Sequence, residues 1–206
     1  MSDASAHGPA HCAAPASPNR ARQVAAVFVL IVVALQALSL APLLEYRRAW
    51  LAAEPWRWIS AHWVHLSWLH AGINAAALLL LAQVFSPWLS GRVLLALMLG
   101  ADLFISALLF FGWPAIEWYR GLSGSLNAVL AAACVLWLAA PDRPPQRWIP
   151  ALLLAGVAIK GWLERSWSAD LPTAAWLGGH TVPPAHLAGA VFGLAAGLML
   201  VLIRRR

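Results

Sequence analysis

Charge is what this sequence has least of. Asp, Glu, Lys and Arg make up 11% of its 206 residues against 62% hydrophobic ones, and the mean hydropathy is +0.71, a balance outside that of soluble globular domains. Long polar stretches are also missing, so no segment between the apolar runs is large enough for a separate soluble domain. Cysteine is nearly absent: Cys12 lies in a polar N-terminal stretch and Cys134 inside an apolar run, so no disulfide is expected between two such depths. The formal charge of +6 does not describe a nucleic-acid surface. Apart from Arg204-Arg205-Arg206, the basic residues sit singly or in pairs at the ends of apolar runs, a membrane-flank pattern. Residues 1–22, rich in Ala, Pro, Ser and His without apolar periodicity, read as a disordered cytoplasmic tail, and 23–206 as one membrane domain.

What is present is hydrophobic length. A hydrocarbon layer of about 30 Å needs roughly 17 to 25 apolar residues in a helix, and six runs qualify as candidates: 24–41, 70–86, 92–111, 122–140, 149–163 and 185–203. The expectation is an all-α membrane protein with six transmembrane helices. The first run is too long for the apolar region of a signal peptide and no clean cleavage site follows it. Segment 45–69 carries Trp50, Trp56, Trp58, Trp63 and Trp68. It is too polar to span and reads as an interfacial loop in the outer leaflet between spans one and two.

With the N-terminus inside, Arg20, Arg22, Arg92, Arg143, Arg147 and the terminal triplet face the cytoplasm. Arg47, Arg48, Arg57, Arg120 and Arg165 face out. The excess of inner cations puts both termini in the cytoplasm. Spans two, four and six then enter from the outer face, and residues early in all three share one depth.

Polar side chains within spans are costly in hydrocarbon and therefore candidates for function. His70 and Asn74 begin span two, Ser123 and Asn127 span four, and His186 span six. Each has an ordinary explanation alone: a buried histidine usually satisfies a neighbour, and a Gly-x-Ser-Gly pattern such as that at 121–124 recurs by chance in roughly one chain in fifteen of this length. Their convergence carries the argument. Acyl transfer needs a nucleophile, a base within reach and donors for the oxyanion, roles that Ser123, His186, and His70 with Asn74 can fill. His70 and Asn74, four apart, share a helix face. Gly121 and Gly124 leave room around the serine, while Gly189, Gly193 and Gly197 make a smooth stripe on which span six can close against span four.

The chain resembles the rhomboid intramembrane serine proteases over nearly all its length beyond the tail. The matching stretches are Glu54-Pro-Trp-Arg57, His65-Leu-Ser-Trp-Leu-His70-Ala-Gly-Ile-Asn74, Gly121-Leu-Ser123-Gly124 and Ala185-His186-Leu-Ala-Gly189-Ala-Val-Phe-Gly193. The resemblance implies a rhomboid-like bundle, Ser123 as nucleophile, His186 as general base, His70 and Asn74 as oxyanion stabilisers, and a lateral gate at spans two and five. It implies a multi-pass protein of the bacterial inner membrane, with membrane-protein substrates and no cofactor. The compact size is similar to that of the rhombosortases, which implies substrates ending in Gly-Gly, an apolar span and a basic tail. One departure stands out: where many rhomboids carry an aromatic residue one turn after the serine, this chain has Asn127. That amide can orient the His186 imidazole or satisfy its own helix.

No acidic residue stands near His186 in span six, so the expectation is a dyad without a third member. Asp102 in span three and Lys160 in span five lie about ten residues from the inner ends of their spans. They can meet at one depth, or Lys160 can snorkel outward. Glu54 and Arg57 brace the interfacial loop or form an ordinary solvated pair. The chief alternative is a catalytically inactive rhomboid-like protein that binds membrane clients, which a missing serine or histidine would favour. A metal site at His62, His65 and His70 lacks a His-Glu-x-x-His motif and one shared helix face, and a transporter would show repeated halves with broken helices.

Overall fold

A computed structural model describes residues 18–140, 146–166 and 176–206. Six helices of 16 to 22 residues stand where the apolar runs are: α1 (Pro18–Ala37), α2 (Trp68–Val84), α3 (Gly91–Gly112), α4 (Ser123–Leu138), α5 (Trp148–Ser166) and α6 (Pro183–Arg204). The protein is an all-α bundle of the expected class. Residues 1–17 of the expected tail, with Cys12, and Arg143 lie outside the described residues. Residues 18–22 are helical instead, because Ala21 is already fully buried and the Arg20 carbonyl packs against Gly91 at the start of α3. Tertiary contact thus carries α1 beyond its apolar run.

Local chemistry sets the starts of several helices. Ser67 and Ser90 cap α2 and α3 by accepting from the backbone N–H groups of His70 and Val93, satisfying donors a helix leaves free. Pro183 and Pro184 open α6, where a missing N–H costs nothing.

The helices differ in what surrounds them. Arg20–Ala37, α3 and α6 are long and apolar enough to cross a membrane alone, whereas Arg57–Trp63 and α2 meet that test only as a pair bent by 93°. The bend is the interfacial segment expected at 45–69, turning sharply into its span. Helix α4 has 16 residues, about 24 Å at 1.5 Å per residue, so it falls short of the hydrocarbon thickness. It tolerates this because it is enclosed by α2, α3, α5 and α6 and buries Gly124, Ala128, Ala131, Ala132 and Ala133 among others. An apolar helix with no polar face belongs in the middle of a bundle.

The loop between α1 and α2 is held by polar contacts. Strand β1 (Tyr46–Arg47) pairs antiparallel with β2 (Trp118–Tyr119) just before α4. Arg57, 2% exposed, donates to the Glu54 carboxylate and to the carbonyls of Pro42 (3.1 Å) and Glu45 (2.7 Å). It is a buried brace rather than a solvated pair. Asp102, fully buried on α3, accepts from Trp63 Nε1 at 2.9 Å and from the Ser125 hydroxyl. It therefore ties the loop and α4 to α3 and does not meet Lys160. The depth count that allowed that pairing carried no information about which way each residue faces around its helix.

Candidate active site

The β1–β2 pair and the Tyr119 hydroxyl, which donates to the Gly121 carbonyl, fix the approach to α4. Gly121 takes φ +127°, and a Cβ there would lie 2.8 Å from His70 Cε1. Both facts demand glycine, and the room it leaves is occupied by the His70 ring. Two residues later Ser123 begins α4, so the backbone N–H groups of its first turn are free of helical partners.

Helix α6 reaches the serine through close backbone contact. A Cβ on Gly189 would overlap the Gly124 carbonyl, one on Gly193 the Ala128 carbonyl, and one on Gly197 would lie 3.0 Å from Ala132 Cα. From the other side, a Cβ on Gly124 would come within 2.9 Å of the Ala185 carbonyl. This seam sets His186 Nε2 2.7 Å from Ser123 Oγ. His186 is buried, at 7% exposure.

Helix α2 supplies the third side. The Leu66 N–H lies 3.5 Å from His70 Nδ1, a long contact that makes Nδ1 the acceptor and leaves the proton on Nε2. One turn on, the Asn74 amide nitrogen is buried without a partner, a costly state for a donor that a developing oxyanion would relieve. His65, in the break before α2, accepts from the Leu122 N–H at 3.4 Å. Burial first, then the neighbouring His70 imidazole and the Arg120 cation, pushes its imidazole down to about 3, so it stays neutral beside the site. Among the described residues, no group of three or more His, Cys, Asp or Glu is placed to hold a metal ion.

Of the two uses open to Asn127, the structure shows the local one: Nδ2 donates to the Ser123 carbonyl of its own helix at 2.9 Å rather than to His186. One finding departs from expectation. His186 has an acidic neighbour, contributed by α5 rather than α6: Glu164 Oε2 lies 2.8 Å from Nδ1. Lys160 Nζ lies 2.6 Å from Glu164 Oε1 and 3.1 Å from the same Nδ1. The lysine extends toward the C-terminal end of α5, where it meets an acid. The available sequence signal was a Lys-x-x-x-Glu pair at helical spacing at the end of an apolar run. The apolar run 149–163 ends one residue short of Glu164.

Behind His186 lies a cavity of about 360 Å³ between α4, α5 and α6, apolar except where Asn127, Lys160 and His186 reach it. Helix α5 packs on α4 and α6 and has no substantial contact with α2.

A family model described as the rhomboid domain matches residues 52–203 of the chain. Among curated proteins, none matches.

Proposed function

Because the chain belongs to the rhomboid family of multi-pass membrane proteins, whose members are generally intramembrane serine proteases, we propose that it is a serine endopeptidase. Its substrates are transmembrane or membrane-anchored proteins, cut near the outer membrane face. The observation that carries this reading is the 2.7 Å contact between Ser123 Oγ and His186 Nε2, within reach for direct proton transfer.

His186 Nε2 takes the hydroxyl proton as Ser123 Oγ attacks the scissile carbonyl carbon. The tetrahedral oxyanion is met by His70 Nε2–H, the Asn74 amide and the backbone N–H groups at the start of α4. His186 then gives its proton to the leaving amine nitrogen as the C–N bond breaks. Water attacks the acyl-enzyme, His186 accepting its proton and returning one to Ser123 Oγ as the acid product leaves. A peptide carbonyl locked in a helix is shielded, so the substrate has to unwind locally at the site. The sparse contact between α2 and α5 supports entry between these helices. The cation asymmetry supports an orientation with both termini cytoplasmic, and the resemblance to compact bacterial rhomboids supports the bacterial inner membrane. A C-terminal Gly-Gly, apolar span and basic tail is the proposed substrate class, tested by co-expression: an uncut tail beside active enzyme removes it.

The test is labelling by a fluorophosphonate probe, with cleavage of a transmembrane peptide in parallel. Wild type is expected to label and cut, and Ser123→Ala and His186→Ala to do neither. Undiminished cleavage by Ser123→Ala overturns the mechanism. Well-folded wild type that neither labels nor cuts points to an inactive protein that binds membrane clients.

A further inference from the structure

We propose that Glu164 is a positioning residue for His186, setting the tautomer in which Nε2 is the base, with Lys160 as its counter-ion; this rests on the protease reading above. Imidazole Nδ1 has two competing neighbours on α5. If Lys160 donates to Nδ1 (3.1 Å), that nitrogen is the acceptor, the ring proton sits on Nε2, and Nε2 cannot take the Ser123 proton. If Nδ1–H donates to Glu164 Oε2 (2.8 Å), Nε2 carries the free lone pair that faces Ser123 Oγ. The carboxylate is the shorter contact, and its other oxygen engages Lys160 Nζ at 2.6 Å, which draws the ammonium protons away from the ring. Glu164 thereby does for His186 what the acid of a Ser-His-Asp triad does, orienting the ring and stabilising the imidazolium formed during attack.

The three groups also balance electrostatically. A lone carboxylate beside the cavity would be costly to bury, and Lys160 neutralises it. The side chains of Glu164 and His186 are 14% and 8% exposed, whereas that of Lys160 is 48% exposed. The ammonium thus stays half-exposed while the carboxylate is turned inward. Other groups facing His186 are the hydroxyl of Ser123 on α4 and, at longer range, His70 on α2. On α3, Asp102 is engaged by Trp63 and Ser125. Among the described residues, the charges that distinguish the two nitrogens of the ring therefore come from α5.

The experiment compares full-length wild type with Glu164→Ala, Glu164→Asp, Lys160→Met and the Glu164→Ala/Lys160→Met double variant. All are purified in detergent and checked for thermal unfolding, with kcat and KM measured against pH. Glu164→Ala is expected to lower kcat between about 10² and 10⁴-fold with KM little changed, and Glu164→Asp to restore part of it. Lys160→Met should keep most of the wild-type kcat, because Glu164 still accepts from Nδ1–H. The double variant should be faster than Glu164→Ala, because the competing donor is gone. Folded Glu164→Ala with wild-type kcat overturns the proposal. A second readout is independent of proteolysis: a downfield imidazole N–H proton resonance, present in wild type and Ser123→Ala and absent from Glu164→Ala. Its persistence in Glu164→Ala overturns the hydrogen bond. Its expected pattern in a protein that cuts nothing would uphold the bond and remove the protease reading instead.

Discussion

Helices α5 and α6 both pack against α4, and they do so by opposite means. Along α6, Gly189 and Gly193 have no space for a Cβ because carbonyls of α4 occupy it, whereas along α5 a Cβ on Gly156 or Gly161 would meet nothing within 4 Å. The first seam is backbone on backbone, and the second leaves a cavity of about 360 Å³. A close-packed seam has one geometry, since interiors at crystal-like density do not deform gradually. The contact that must be held to a fraction of an ångström, Ser123 to His186, is placed on it. The looser helix carries Lys160 and Glu164, whose flexible side chains can close the remaining distance to His186.

The largest effect should come from breaking the tight seam. Gly189→Val sets branched carbon against the Gly124 carbonyl, and α6 has to move. Displacing a base by about 1 Å costs on the order of 10²-fold, so cleavage should fall at least that far although Ser123 and His186 remain. Gly193→Ala adds one carbon a turn deeper, against Ala128. Overpacking of this kind costs about 1 to 3 kcal/mol, expected as a lower thermal midpoint in detergent with partial activity. Wild-type activity in Gly189→Val would mean that the seam does not set the dyad.

The same exchange on α5 should have the opposite sign. Gly161→Ala meets no atom and removes backbone freedom from a helix interior, a gain of about 0.5 to 1 kcal/mol. Thermal unfolding reads it directly. A destabilised Gly161→Ala would show that α5 packs more tightly than the cavity indicates.

How much of this could be read from the sequence follows the same division. The six helices were legible because hydrocarbon thickness dictates run length, and the observed bounds differ from the expected ones by only a few residues, apart from the start of α1 at Pro18. The α4–α6 seam was legible because glycine at every fourth position is a contact pattern that one helix carries by itself. Glu164 was not. It lies 22 residues before His186 on another helix, and helix direction there is set by packing rather than by local spacing. Asp102 shows the same limit: its partners Trp63 and Ser125 come from two other elements, and depth along a span does not determine direction around it.

Asn127 sits where the two regimes meet, on α4, lining the cavity, one turn after the serine. An amide in that place has two possible uses, and its Nδ2 is already given to the Ser123 carbonyl at 2.9 Å. That bond lies within one helix, which repeats the Ser123 carbonyl's helical acceptance without adding a link between helices. If Glu164 sets the His186 tautomer, Asn127 is not needed for it. Removing a partly exposed local bond of this type changes stability by less than about 0.5 kcal/mol. Asn127→Ala should therefore leave kcat/KM within about twofold of wild type at every pH tested. A loss of tenfold or more, with the protein folded, would mean that the amide turns to the imidazole during the reaction, and the tautomer would then be set from α4 as well as from α5.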